Sequence, residues 1–289
     1  MSKKNIKKIQ SFKFFNKKIN VQKYESIYKN SGKRLVPPNA QRLKIFINLI
    51  NKHKPQNIVD AGCGTAMPMI KILKLGYKIS GYDKSKNMIE KAKNLIKSNG
   101  FDSSLVRVGN FENPKHIKNN SVDCILGMGT FYYSKNINLT LKNQVKKLKK
   151  NGRIIFSLRN ELFDISTFNN YTINFFEKIY NINKYNIKVK KEFSNIFNNY
   201  KNKKNYKKNI DDNKVFSLTH NPLTVQNNLL KKSGLKMEGI YFYHFHCLPP
   251  FFENKFRKEF QIGSAKIEKP NSWKGYFLAS GFIVDCKKK

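Results

Sequence analysis

The chain is poor in acid. Eighteen Asp and Glu face 57 Lys and Arg over 289 residues, a formal net charge of +39. Such a balance ordinarily points to RNA, DNA or an anionic surface. Here the excess is mostly Lys, runs through the whole chain and comes with abundant Asn and Ile. Compositional drift across a proteome produces that pattern with no polyanion ligand, so drift competes with function as its cause. Under either cause the surface attracts phosphorylated molecules. Cysteine is scarce too. Cys63, Cys124, Cys247 and Cys286 are widely spaced and form no C-x-x-C pair, which argues against a disulfide framework and for reduced core thiols in a cytoplasmic setting. No run of about 18 uncharged apolar residues occurs, so no membrane span is expected. The opening MSKKNIKKIQSFKFFNKK is basic but lacks the apolar stretch of a signal peptide; it reads as an N-terminal arm.

What is abundant is apolar and aromatic. Hydrophobic residues make up 39%, with 23 Phe and 14 Tyr, enough for a sizeable core and too much for wholesale disorder. Residues 39–52 carry Leu43, Phe46, Ile47 and Ile50 at helical spacing, bounded by Pro37-Pro38 and Pro55. Strands are expected at residues 57–61, 78–82, 105–109, 123–126 and 153–158. Between them fall helices at 66–75, from the Ser85 cap to about Gly100, and at 139–150. This alternation argues for a mostly parallel sheet covered on both faces. It fails over residues 160–221, which are too aromatic for a linker and too long for a simple connection. A helix at 223–232 and strands at 235–246 and 275–286 close the chain. The expected layout is a single domain over residues 1–289, with 1–55 an N-terminal helical arm and cap and 160–221 an inserted substrate lid.

The chemistry sits in residues 57–83, NIVDAGCGTAMPMIKILKLGYKISGYD. Gly62 and Gly64 permit a tight turn and close approach of a ligand after the first strand. A dinucleotide site wants a third glycine three residues on, where this chain has Met67. Asp60 precedes the turn, where a carboxylate repels pyrophosphate and attracts an ammonium. S-adenosylmethionine (SAM) carries an ammonium and no phosphate. Asp83 ends the second strand, with two oxygens suited to vicinal ribose hydroxyls.

Asp60-Ala61-Gly62-Cys63-Gly64 matches the D-x-G-x-G form of the class I SAM-dependent methyltransferases, and Asp83 their acid after strand two. The chain resembles that family from about Asn57 to Leu158. The resemblance implies a Rossmann-like class I methyltransferase fold: a mostly parallel seven-stranded sheet with an antiparallel last strand. It implies SAM as cofactor, held by Asp60, Gly62, Cys63, Gly64, Asp83, Lys84, Asn110, Phe111 and Gly127. Asn110 departs from the family, which often has an acid there for the adenine amino group; an amide oxygen can accept the same bond without charge. A more distant likeness, through residues 159–176 and 242–250, is to small-molecule methyltransferases of bacterial surface polysaccharide or nucleotide-sugar pathways.

The acceptor is expected beyond strands four and five. No Asn/Asp-Pro-Pro-Tyr/Phe sequence follows strand four, which counts against amide and exocyclic base acceptors. Arg159, at the end of strand five, can grip a phosphate or carboxylate, or pair with Glu161 or Asp164. His244 and His246 alternate on a strand and so face one side, while Tyr241 and Tyr243 face the core. A neutral imidazole suits removal of a hydroxyl proton. The expected catalytic residues are therefore His244, His246 and Arg159. No metal is expected, because nothing completes a ligand set around the two histidines and Cys247. The expected acceptor is a small polar molecule with a hydroxyl, sugar-containing or phosphorylated. RNA or protein methylation, and a non-catalytic nucleic-acid-binding module, are the alternatives that the charge leaves open. Oligomeric state is not readable.

Overall fold

The computed structural model describes residues 10–22, 37–198 and 215–289. Among the described residues eight strands make one sheet: β1 Ile58–Ala61, β2 Ile79–Asp83, β3 Val106–Val108, β4 Val122–Gly127, β5 Leu148–Asn160, β6 Thr219–His220, β7 Leu235–Phe245 and β8 Ala279–Lys288. Their order is β3-β2-β1-β4-β5-β8-β7, with the two-residue β6 paired to the end of β5. β8 runs antiparallel to both β5 and β7, and the other pairings are parallel. The expected seven-stranded Rossmann-like order is therefore present, and β6 is an addition to it. The strand order reverses between β1 and β4, which opens a crevice at the carboxyl ends of those two strands.

Both faces are covered, so β1 is buried at all four positions. One face packs Val59, Phe156, Leu158, Phe242 and Phe282. The other packs Ile58, Leu126, Ile155 and Ile283 against Leu43, Phe46 and Ile50 of the helix Pro38–His53. That helix starts with proline in its first turn, where the missing N–H costs nothing. Lys86–Ser98 starts at Ser85, whose hydroxyl accepts from the Met88 amide at 3.2 Å.

Several boundaries differ from the sequence expectation. The helix placed at 139–150 is Ile137–Val145, and β5 already begins at Leu148. Leu148 is fully buried opposite Val122, so core burial outweighs the basic helical pattern around it. Asn151-Gly152 then lies at a register shift inside β5 and does not cap a helix. Residues 275–278 form a helical turn before β8. Residues 223–232 form a π-turn, Gln226–Leu230, followed by a 3-10 turn. A helix at Arg257–Ile267 was not expected; it buries Phe260, Gln261 and Ser264. Within 160–221 stand a 3-10 segment, Leu162–Thr167, and the helices Asn170–Ile179 and Ile187–Ile196. All but the first residue of the polar run 198–213 lies outside the described residues, as do residues 1–9 and 23–36 of the expected N-terminal arm. No helix among the described residues is long and apolar enough to cross a membrane.

A buried ionic network closes the amino-terminal end of the sheet. Asp285 on β8 is 1% exposed. Its Oδ1 accepts from Arg153 at 2.8 and 3.1 Å, and its Oδ2 lies 2.8 Å from His53 Nε2. Arg153 also reaches Glu238 at 2.6 Å. Helix Pro38–His53 is thereby tied to β5, β7 and β8.

Candidate active site

The carboxyl ends of β1, β2 and β4 converge on one crevice. Gly62 has φ +88°, and a Cβ there would fall 2.4 Å from Thr130 Cγ2. Glycine is thus required both by the turn and by the approach of the loop after β4. Thr130 Oγ1 donates to Gly62 O at 3.3 Å and locks the two loops together. Asp60 is 1% exposed, and its Oδ1 finds no hydrogen-bond partner among the described residues; neither does buried Thr65 Oγ1. Burial pushes the Asp60 carboxyl up to about 8, with the Asp83 charge adding and the Arg42 charge opposing.

Asp83 is more engaged than its ribose assignment required. Its Oδ2 accepts from the Gly64 amide at 3.1 Å and its Oδ1 from the Ser85 amide at 2.8 Å. Burial raises its pKa, opposed by the amides of Ser85, Gly64 and Lys84. Asp83 therefore shapes the glycine turn, and three amides do not exhaust the roughly four acceptor sites of its two oxygens. Cys63 is buried inside that turn, and burial holds its thiol well above the ordinary range. Asn110 Oδ1 accepts from the Glu112 amide at 3.0 Å, an Asx turn. Phe111 stacks on Phe131 with ring centroids 6.0 Å apart, and Gln144 ties Phe111 O to the Tyr82 hydroxyl. At Gly127 a Cβ would meet Phe156 and Phe131 at 2.9 and 3.1 Å, so its smallness serves packing of the crevice floor.

Two contributors escaped the sequence reading. Arg42, on Pro38–His53, is 8% exposed with its guanidinium against Gly129. Its Nη2 donates to Asn39 Oδ1 at 3.0 Å. The available signal was a cation one helical turn before Phe46, on the apolar face of its helix. The second is the segment around Asn16. Ser85 Oγ donates to Asn16 Oδ1 at 3.0 Å, and the Phe15 ring lies 5.9 Å from Tyr133. This segment thus links the start of helix Lys86–Ser98 to the turn after β4.

Beyond β5 and β7 lies a second group. His244 adopts φ +60°, so the extended path breaks there and His246 falls past the end of β7. The two rings meet at 4.4 Å, edge to face, through this turn and not through simple strand alternation. His244 Nδ1 lies 2.6 Å from Ser280 Oγ. His246 is 6% exposed, and neither ring nitrogen has a hydrogen-bond partner among the described residues. Burial, reinforced by His244, holds His246 well below the usual imidazole range. Phe163 and Phe260 flank its ring at 4.8 and 5.3 Å. Glu268 accepts from the amides of His244 and Phe245, and burial pushes its carboxyl up to about 7. Tyr243 is buried on the other face, as expected. Arg159 lies 5.1 Å over the Tyr132 ring. Glu161 pairs instead with Lys178, and burial pushes Asp164 up to about 7. No group of three or more His, Cys, Asp or Glu among the described residues could hold a metal ion.

A family model described as a methyltransferase domain matches residues 52–216, more than half of the chain. The chain belongs to that methyltransferase family. Solved structures agree in fold. A SAM-dependent methyltransferase from Thermotoga maritima superposes with a TM-score of 0.53 at 16% identity, covering 96% of this chain and 99% of that one. The magnesium protoporphyrin IX methyltransferase of Synechocystis, with bound S-adenosylhomocysteine, gives 0.56 at 10% identity over 96% and 98%. A methyltransferase in complex with its Trm112 activator from Haloferax volcanii gives 0.52 at 12% over 96% and 98%. No curated protein matches significantly by sequence.

The crevice of this methyltransferase fits SAM, its cofactor. An ammonium beside Asp60 Oδ1 would satisfy a buried acceptor that has no partner among the described residues. Asp83 has capacity for the ribose hydroxyls, and the loop Asn110-Phe111 adjoins through Gln144 and Tyr82. Clefts of about 400 and 210 Å³ lie elsewhere, lined near Asn57, Tyr77, Lys78 and Ser121 at the far end of the strands. They hold no comparable buried, unpaired carboxylate.

Proposed function

We propose that this methyltransferase transfers the SAM methyl group to a hydroxyl of a small polar acceptor, sugar-like or phosphorylated, with His246 or His244 receiving the proton. The observation that carries this reading is His246, a buried imidazole with both nitrogens unsatisfied at the carboxyl side of β7. Bound SAM supplies a sulfonium-activated methyl group as electrophile. An acceptor hydroxyl that takes up this methyl group would have to give up its proton. His246, whose burial favours the neutral imidazole, is placed to take it. Phe163 and Phe260 exclude water around His246 and offer flat faces to a ring-shaped acceptor. Arg159, over Tyr132, offers a cation to an anionic substituent. Residues 160–198, the described first part of the expected lid, serve to cover that acceptor, and Asp83, Lys84, Asn110, Phe111 and the glycines hold the cofactor.

The test is a methyl-transfer screen over free sugars, nucleotide sugars, sugar phosphates and simple amines, with product position assigned by NMR. An O-methylated product is expected. Replacing His246 by Asn should then cut turnover about a hundredfold while SAM affinity stays unchanged. Full turnover in both His246→Asn and His244→Asn across neutral pH defeats the proton-acceptor assignment and leaves alignment of donor and acceptor as the main device. An exclusively N-methylated product defeats the hydroxyl assignment.

A further inference from the structure

The helix Ile187–Ile196 carries apolar residues and buries none of them. Among the described residues every other helix of eight or more residues has a buried face. It folds back on Asn170–Ile179 as an antiparallel hairpin. Tyr180 meets Phe193 with ring centroids 6.3 Å apart, and Phe176 meets Phe197 at 6.1 Å, so the contacts step away symmetrically from a bend at residues 181–186. One side of the hairpin packs in the ordinary way, with Thr172, Ile173 and Phe175 buried. The bend does not. Ile187 is 76% exposed and Ile179 58%, and Tyr180, Tyr185 and Val189 are exposed beside them. Single exposed apolar residues are normal, but five between positions 179 and 189 mark a docking surface. Cations are interleaved with them: Lys184, Lys188 and Lys191 are exposed. From 177 to 196 five Lys face two Glu.

This mixture discriminates among partners. Nucleic acid is held by aromatic or guanidinium faces stacked on bases; Ile and Val do not stack, and residues 170–198 contain no Arg. A second copy of the chain brings the same +39, which opposes association through a basic face. An anionic lipid surface accepts both components, aliphatic and Tyr side chains at the acyl boundary and Lys among the headgroups. We propose that the bend of this hairpin rests on an anionic lipid surface. Ile179 and Ile187 enter the headgroup boundary, and Lys184 and Lys188 meet the headgroup charges. Such attachment is peripheral and needs no spanning helix. It depends on neither the acceptor nor the cofactor.

The experiment is vesicle flotation of the full chain. The probes are vesicles of phosphatidylcholine alone and vesicles containing about 30% phosphatidylglycerol, in about 0.15 M salt. Wild-type protein should float with the anionic vesicles and bind neutral ones at least about tenfold more weakly. Because diffuse positive charge alone gives that preference, the deciding arm is local. Ile179→Asn with Ile187→Asn should weaken binding to anionic vesicles about tenfold or more, with an unchanged melting temperature. Lys184→Gln with Lys188→Gln should weaken it about tenfold. Ile196→Asn is the control: that residue is 62% exposed and lies at the other end of its helix, and the change should stay within about twofold. Absence of wild-type binding to anionic vesicles overturns the proposal without any variant. Undiminished binding in the double Ile variant also overturns it and leaves diffuse charge as the cause, and an equal loss in Ile196→Asn removes the bend as the contact. A lower melting temperature in the double Ile variant shows that these residues pack on the chain itself and defeats the proposal. So does a dimer, or an RNA complex, that the same double substitution dissolves.

Discussion

Two carboxylates in this molecule are equally buried and oppositely treated. Asp285 and Asp60 are each 1% exposed. At the amino-terminal end of the sheet, both oxygens of Asp285 are paired, with Arg153 on one side and His53 on the other. At the carboxyl end, Asp60 keeps one oxygen with no partner among the described residues, and so does the Thr65 hydroxyl of the glycine turn. Buried polar groups are ordinarily satisfied, because an unpaired one costs the full desolvation penalty. The paired end is therefore architecture, and under the proposed function the unpaired end is where a ligand supplies the missing partner. The same residue type is sealed by partners at one end and left with an open oxygen at the other.

The largest expected effect is at the paired end. Asp285→Ala leaves Arg153 buried without its main counterion and should cost about 3–5 kcal/mol of folding stability. Urea unfolding measures it, and a loss below about 1 kcal/mol would erase the contrast between the two ends. The mirror experiment is Asp60→Asn. It should weaken SAM binding by about 10- to 100-fold, yet leave the ligand-free fold as stable as wild type or more so at pH 8. Calorimetry and thermal melting separate the two effects; a large loss of stability in this variant would make Asp60 a second Asp285. The same contrast has a pH signature. The Asp60 pKa is raised by burial from 3.8 to about 8, so its neutral form belongs to the ligand-free fold and its ionised form to the ammonium-bound one. The stability that this group contributes to the ligand-free protein is complete below about pH 4 and is lost as pH rises toward 8. SAM affinity should move the other way, rising by up to tenfold per pH unit between about 6 and 8 and levelling off above, with the slope abolished in Asp60→Asn. The smallest effect belongs to His246. Its pKa lies below the usual imidazole range, so turnover should stay flat across neutral pH and fall only under more acidic conditions. An acid limb centred near pH 6.5 or above would point to a different group.

Much of the cofactor crevice was legible in sequence because it is local. Asp60, Gly62 and Gly64 lie within five consecutive residues, and Asp83 ends the next strand. A strand, a glycine turn and a helix set their geometry with little help from elsewhere. The sequence suggested Asp83 as a ribose ligand and did not show it as the acceptor for the Gly64 and Ser85 amides, because that role depends on two neighbouring turns meeting. Arg42 was missed since its meaning rests on Gly129, 87 positions away, and on the packing of Pro38–His53 over the sheet. The helix boundary near residue 150 failed for a related reason: burial of Leu148 opposite Val122 outweighs local helix preference.

The sequence by itself determined the alternation of strands and helices, the glycine turn and the acids that flank it, since hydrophobic period and backbone freedom act over a few residues. Only the tertiary structure decided which buried charges are paired. It sealed Asp285 with His53 and Arg153, from positions 232 and 132 residues away, and left Asp60 open. It brought Arg42 to Gly129 and set the ring of His246 between Phe163 and Phe260. The reason is physical: desolvation and charge pairing depend on distance in space, and folding sets that distance without regard to separation along the chain.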